Sequence, residues 1–208
     1  MKRRVIFNLF SALVLLVTMS VQALPQSKKS SPEGDVSLEL IGQVLNSGAM
    51  SAQYGYLSYI NGIDSIFSAA TENEATALFT FYNDSLTVRV INNGPLRIVN
   101  RVGTTTVYLD TTPDGDFNNP DSFRDGMPVM TSTFRHQVIL DTGTNQFTTT
   151  FVNTITSADF FTFGNHNVRL GKVGQRFRTI VFGRQNAAGA TPAQFVIAGY
   201  APGGDLTR

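Results

Sequence analysis

Apolar residues recur at every second position through most of this chain, and no segment of ten residues or more keeps a helical spacing. In 146–156, Phe147, Phe151 and Ile155 fall on one face and Thr148, Thr150 and Thr154 on the other. That is a strand with one side in a core and one in water. The run 133–140 repeats the pattern, with Phe134, His136, Val138 and Leu140 opposite Thr133, Arg135 and Gln137. Further runs rich in β-branched and aromatic residues occupy 36–45, 52–60, 75–82, 85–92, 95–101, 104–110, 177–184 and 193–200, and 133–140 itself extends back to 129. Turn-forming residues part several of them, as at Asn83-Asp84, at Asn92-Asn93-Gly94 and in 141–145. One short helical turn is expected around Thr71, Glu72, Asn73 and Glu74.

Strands in close succession, with no helical crossovers, predict an all-β domain. The expected architecture is a single antiparallel β-barrel of about eight to ten strands, with a two-sheet β-sandwich as the alternative. Thr, Arg and Asn on the outward faces argue against a transmembrane barrel, which needs a continuous apolar band there.

The ends read differently. Lys2, Arg3 and Arg4 precede a largely apolar stretch from Val5 to Val17, and Val21-Gln22-Ala23 follows with residues suited to a signal peptidase. Residues 1–23 are therefore expected to be a cleaved secretory signal peptide, and 24–35 a flexible polar tether. The barrel domain is expected over 36–201 and a loose tail over 202–208. Such a protein is exported, to the periplasm, the cell surface or the medium, with no membrane insertion after cleavage. Three of the 16 Lys and Arg lie in the leader, leaving thirteen against 15 Asp and Glu. That balance leaves no basic footprint for nucleic acid.

Cysteine is absent, which excludes disulfides, thiolate metal sites and a cysteine nucleophile. The core alone must hold the domain, and 16 Phe supply ample apolar volume for it. Histidine is confined to His136 and His166. There is no G-x-S-x-G elbow and no Walker spacing around Gly171-Lys172-Val173-Gly174. The four glutamates, Glu33, Glu39, Glu72 and Glu74, are poorly placed for a facing carboxylate pair.

The densest polar pattern runs from Asp110 to Asp121. Counted from Asp110, oxygen-bearing side chains stand at the first, third, fifth, ninth and twelfth positions, with Gly115 at the sixth. This resembles the calcium loop of EF-hands and, more closely, that of dockerin modules. The resemblance implies Asp110, Thr112, Asp114, Asn118 and Asp121 as side-chain ligands and Asp116 as a backbone ligand of one structural Ca²⁺ ion. It departs from those families at Thr112, at Pro120 and in lacking a flanking helix. The other reading is a long hairpin loop made of turn-forming residues.

Ligand-lining residues expected in the barrel are His136, Tyr54, Tyr56 and Arg135. His136 shares a face with apolar neighbours, so the alternative is a hydrogen-bonded core histidine. Arg89, Arg135 and Arg178 lie mid-strand and are expected to face solvent unless an anion or carboxylate meets them. The chain is read as a secreted, non-enzymatic binding module for an apolar small molecule, with a structural calcium ion as a further expectation. The alternatives are a cyclase- or isomerase-like barrel enzyme using His136 and Arg135, and a surface or matrix assembly protein joining through sheet edges or its tether.

Overall fold

The computed structural model describes residues 36–185 and 193–203. The expected leader, the tether, residues 186–192 and the final residues lie outside the described residues. Ten strands follow in order: β1 Val36–Ser47, β2 Met50–Ile60, β3 Phe79–Asn93, β4 Leu96–Leu109, β5 Met127–Asp141, β6 Gln146–Ala158, β7 Phe161–Phe163, β8 His166–Val168, β9 Arg176–Gln185 and β10 Ala193–Pro202. Eight of them close an antiparallel barrel in the order β1-β10-β9-β6-β5-β4-β3-β2, and β7 pairs only with β8. The barrel expectation holds, and the sandwich is excluded. The one helical element described is a 3-10 turn at Pro120–Phe123. Close to the expected turn at 71–74, a single hydrogen-bonded turn spans 73–76, with Thr76 N–H donating to the Asn73 carbonyl at 3.2 Å.

Two of the expected strand breaks are continuous strand. Asn83-Asp84 is not a turn: Asn83 pairs with Gln53 on one side and Thr105 on the other. Its side chain is buried, and Nδ2 donates to Gln53 Oε1 at 3.4 Å. An inward amide with an amide partner serves as a strand residue, whatever its turn propensity. Gly103 likewise runs through β4. It pairs with Phe134, and a Cβ there would strike the Asp84 carbonyl and the Phe134 ring. Gly183 stands in the same relation to Phe147. In both pairs the aromatic ring covers bare backbone, which lets a strongly curved wall hold large inward rings.

Alternation sets the facing of each strand. In β6, Phe151 and Ile155 are buried and Thr150 is exposed; in β5, Phe134, His136 and Val138 are buried while Thr133, Arg135 and Gln137 are exposed. Arg89 and Arg178 are exposed as well. One end of the barrel carries the long connections 61–78, 110–126 and 159–175. There Phe79 packs against Phe161 and Phe163 of the β7–β8 hairpin, with ring centroids at 6.0 and 5.0 Å. Ile60, Ile66, Leu109, Val129 and Leu170 belong to the same apolar cluster, so this end is plugged. The β1–β2, β3–β4 and β5–β6 connections stand at the opposite end, as do the end of β9 and the start of β10.

Connection 110–126 does not project into solvent. It folds back over the outside of β2 and β3, where Phe123 lies 5.5 Å and Phe117 6.4 Å from the Tyr54 ring. Tyr82, the cross-strand partner of Tyr54, stacks on it at 6.1 Å. The wall at β2 is therefore covered on both faces, with a small second core outside the barrel.

Candidate functional site

Near the hairpin end, side chains from all eight barrel strands surround a chamber of about 300 Å³. Its two sides differ in chemistry. Val138, Leu140, Phe147, Val181, Phe195 and Ile197, from β5, β6, β9 and β10, form an apolar wall. Across from them the wall from β1 to β4 is mixed, with Asn46, Gln53, Thr87, Arg97 and Arg101 set among Val44, Val90 and Val99. Below lies a second void of about 40 Å³. It adjoins a polar belt in which Asn153 Nδ2 donates to Thr179 Oγ1 at 3.2 Å.

Arg101 is the central polar group of the chamber. It faces inward because β4 alternates Arg97, Val99, Arg101 and Gly103 toward the interior. Its Nε donates to Thr87 Oγ1 and its Nη2 to Asn46 Oδ1, each at 3.1 Å. These bonds draw the guanidinium along the wall from β4 toward β1. Burial, and next the positive charge of Arg97, lower its pKa to about 10. The one ion pair among the described residues is elsewhere, Arg124 to Asp121 at 2.6 Å.

His136 pairs with Arg101 on one side and Phe151 on the other. It is 3 % exposed, and neither ring nitrogen has a hydrogen-bond partner. The imidazole stacks on Phe134 at 5.3 Å and meets Phe151 edge-on at 4.6 Å. Burial, with Arg101 adding its charge, pushes its pKa down to about 3, so it is a neutral ring in the core. Neither expectation for His136 is met as stated. It is absent from the chamber lining, because Phe134 and Phe151 enclose it, and it is not hydrogen-bonded.

The other three expected lining residues point away from the interior. Tyr54 and Tyr56 lie on the outer face of β2, under connection 110–126 and, for Tyr56, against Phe67 at 6.1 Å. Burial pushes both phenols up, aided by Tyr82 at Tyr54 and by Glu74 and Glu72 at Tyr56. Arg135 is exposed on the outer face of β5. Arg101 takes its place inside, with the exposed Arg97 at the rim of the chamber. Their signal in the sequence was weak, since Ile98 and Val102 make the opposite face of the same strand equally apolar.

The acidic connection is also arranged differently from the calcium-loop expectation. Of its six residues, Asp110 and Asp114 converge, and the third member is Asp125; one carboxylate oxygen of each lies within 4.8 Å of the other two. Asp116 Oδ1 instead accepts from the Asn118 backbone N–H and side-chain amide, at 2.8 and 2.9 Å. Asp121 is held by Arg124, and Thr112 caps Asp110 through its backbone N–H at 2.9 Å. The second core is the reason: seating Phe117 and Phe123 on Tyr54 turns the middle of the loop away from the trio. Asp110 is buried, and its Oδ2 has no hydrogen-bond partner. Burial, then Asp114 and Asp110, raise the pKa of Asp125.

Fold and chamber together define a closed eight-stranded barrel with a two-sided, partly basic interior compartment at one end. Comparison with protein-family models, with curated proteins and with solved structures finds no match.

Proposed function

We propose that this protein is an exported, non-enzymatic binding module that holds an apolar small molecule inside the barrel. The chamber carries the reading. Its volume of about 300 Å³ lies at the lower end of small-molecule sites, which combine apolar walls with a few convergent polar groups. The enzyme alternative loses its pair of residues, since His136 is enclosed and Arg135 lies outside. Assembly through sheet edges is not supported either, because closure leaves the eight barrel strands without an edge. Export rests on the order of charged, apolar and small residues in 1–23.

A neutral naphthylamine dye that brightens in apolar surroundings tests the chamber. The wild type is expected to bind it saturably. Leu140→Trp, which places a bulky indole in the chamber, is expected to abolish binding with an unchanged far-ultraviolet spectrum. Dye that never saturates, or that binds the filled variant equally well, would remove the reading.

A second reading, a structural calcium ion, is favoured by the buried, unpartnered Asp110 Oδ2 beside Asp114 and Asp125. Three carboxylates this close repel one another until a cation joins them. With affinity in the roughly 10⁻⁴–10⁻³ M range of extracellular modules, millimolar calcium should raise the melting temperature a few degrees over chelator. Asp125→Ala should erase that difference and Asp121→Ala should keep it. The reverse pattern would restore the twelve-residue loop, and a melt indifferent to calcium would leave neither.

A further inference from the structure

We propose that the chamber selects amphipathic carboxylates, with Arg101 receiving the acid head and the β5, β6, β9 and β10 wall taking the apolar body. This deepens the binding reading above and rests on it.

Arginine carries five N–H donors and never becomes a neutral acceptor in ordinary conditions. Thr87 and Asn46 take one each, leaving three without an acceptor among the described residues. Both partners are neutral, so they position the guanidinium without neutralising it. A second cation, Arg97, stands two inward positions nearer the hairpin end on the same strand. A half-buried charge beside a like charge, with no carboxylate to meet it among the described residues, is an unfavourable arrangement for the unliganded fold. It becomes favourable when an anion enters.

Among the described residues no carboxylate pairs with this guanidinium. The β9–β10 connection, 186–192, contains no Asp or Glu. At the nearest acidic residue of the β5–β6 turn, Asp141 Oδ1 already accepts from the Gly143 and Thr144 N–H groups, at 2.8 and 3.2 Å. The barrel ends of β1 and β10, paired at Val36 and Pro202, lie at the plugged end.

The opposite wall decides the class of anion. Val138, Leu140, Phe147, Val181, Phe195 and Ile197 give a small inorganic ion nothing to gain beyond the guanidinium. A molecule with one planar acid group and a hydrocarbon body satisfies both sides at once. The guanidinium fork matches a carboxylate with two parallel hydrogen bonds, which a lysine could not reproduce.

Calorimetry with decanoate and decanol separates this proposal from the reading beneath it. Wild type is expected to bind decanoate about tenfold more tightly than decanol, or better, since hydrogen bonds to a charged group carry at least that factor. Arg101→Met should bring the acid-to-alcohol ratio to near parity, and Arg97→Gln should reduce it less. Equal affinities in the wild type, or a ratio that survives Arg101→Met, overturn the carboxylate assignment while leaving an apolar site. If neither compound binds, both readings fall. The wild-type comparison needs no variant, so a poorly folding Arg101→Met protein would not shield the proposal.

Discussion

Replacing Phe151 with alanine is expected to lower stability by about 3–5 kcal/mol, and replacing its neighbour Thr150 by under about 1 kcal/mol. The contrast follows from facing. Phe151 is 3 % exposed and packs edge-on against both Phe134, at 5.1 Å, and His136. Thr150, one residue earlier, is exposed. Truncating Phe151 removes a ring from a rigid wall whose strands are fixed by ladders on both sides, so collapse into the gap is limited. Urea denaturation of the two variants measures the difference directly. Similar losses at both positions would mean that β6 does not alternate as described.

His136 should make the barrel acid-sensitive well above the range where carboxylates titrate. In the unfolded chain its imidazole titrates near 6.5; in the barrel its pKa is lowered to about 3. Between those values the unfolded chain binds a proton that the folded barrel refuses. The contribution is therefore fully present above pH 6.5 and is lost as pH falls toward 3, at about 1.4 kcal/mol per pH unit. His136→Leu removes the group and, because neither ring nitrogen has a partner, leaves no hydrogen bond broken. Near pH 7 the variant should match or exceed the wild type in stability. Between about pH 6.5 and 5 it should gain about 2 kcal/mol on the wild type. Stability profiles that run parallel across that interval would show that the buried imidazole accepts its proton without cost. Phe151→Ala should weaken the effect, since the ring that encloses His136 is then missing and the two positions are coupled.

How much of this is legible in the sequence depends on which groups meet locally. Alternation in 133–140 and 146–156 was enough to orient β5 and β6, because each has one buried and one wet face. The same reasoning paired Tyr54 with Tyr56 on one face of β2 but could not say which face was inside. Connection 110–126 buries the outer side of that strand as thoroughly as the barrel buries the inner one, and nothing within β2 signals a covering segment some sixty positions away. Asn83, and Gly103 in the gap between the runs 95–101 and 104–110, read as breaks in the sequence for a related reason. The amide of Gln53 and the ring of Phe134, which make them strand residues, each come from 30 or more positions away. The acidic connection was visible as a cluster of oxygen ligands, but the placing of its aromatic residues on Tyr54 selected Asp125 over Asp116, Asn118 and Asp121.

The seam between β1 and β10 has a kinetic consequence. It joins the first and last strands along their length, and Ser37 Oγ donates to the Ala201 carbonyl at 3.0 Å across 164 positions. No shorter portion of the chain can make the ring, since β1 and β9 are bridged only by β10. A chain lacking its final strand keeps two open ladders and an interior exposed along the gap, a state prone to pairing with other chains. Contacts of such sequence separation are formed late and slowly, because the intervening chain must be ordered before they are rewarded. The finished barrel presents no edge, while every unfinished one presents two, so the last strand to arrive guards the solubility of all the others.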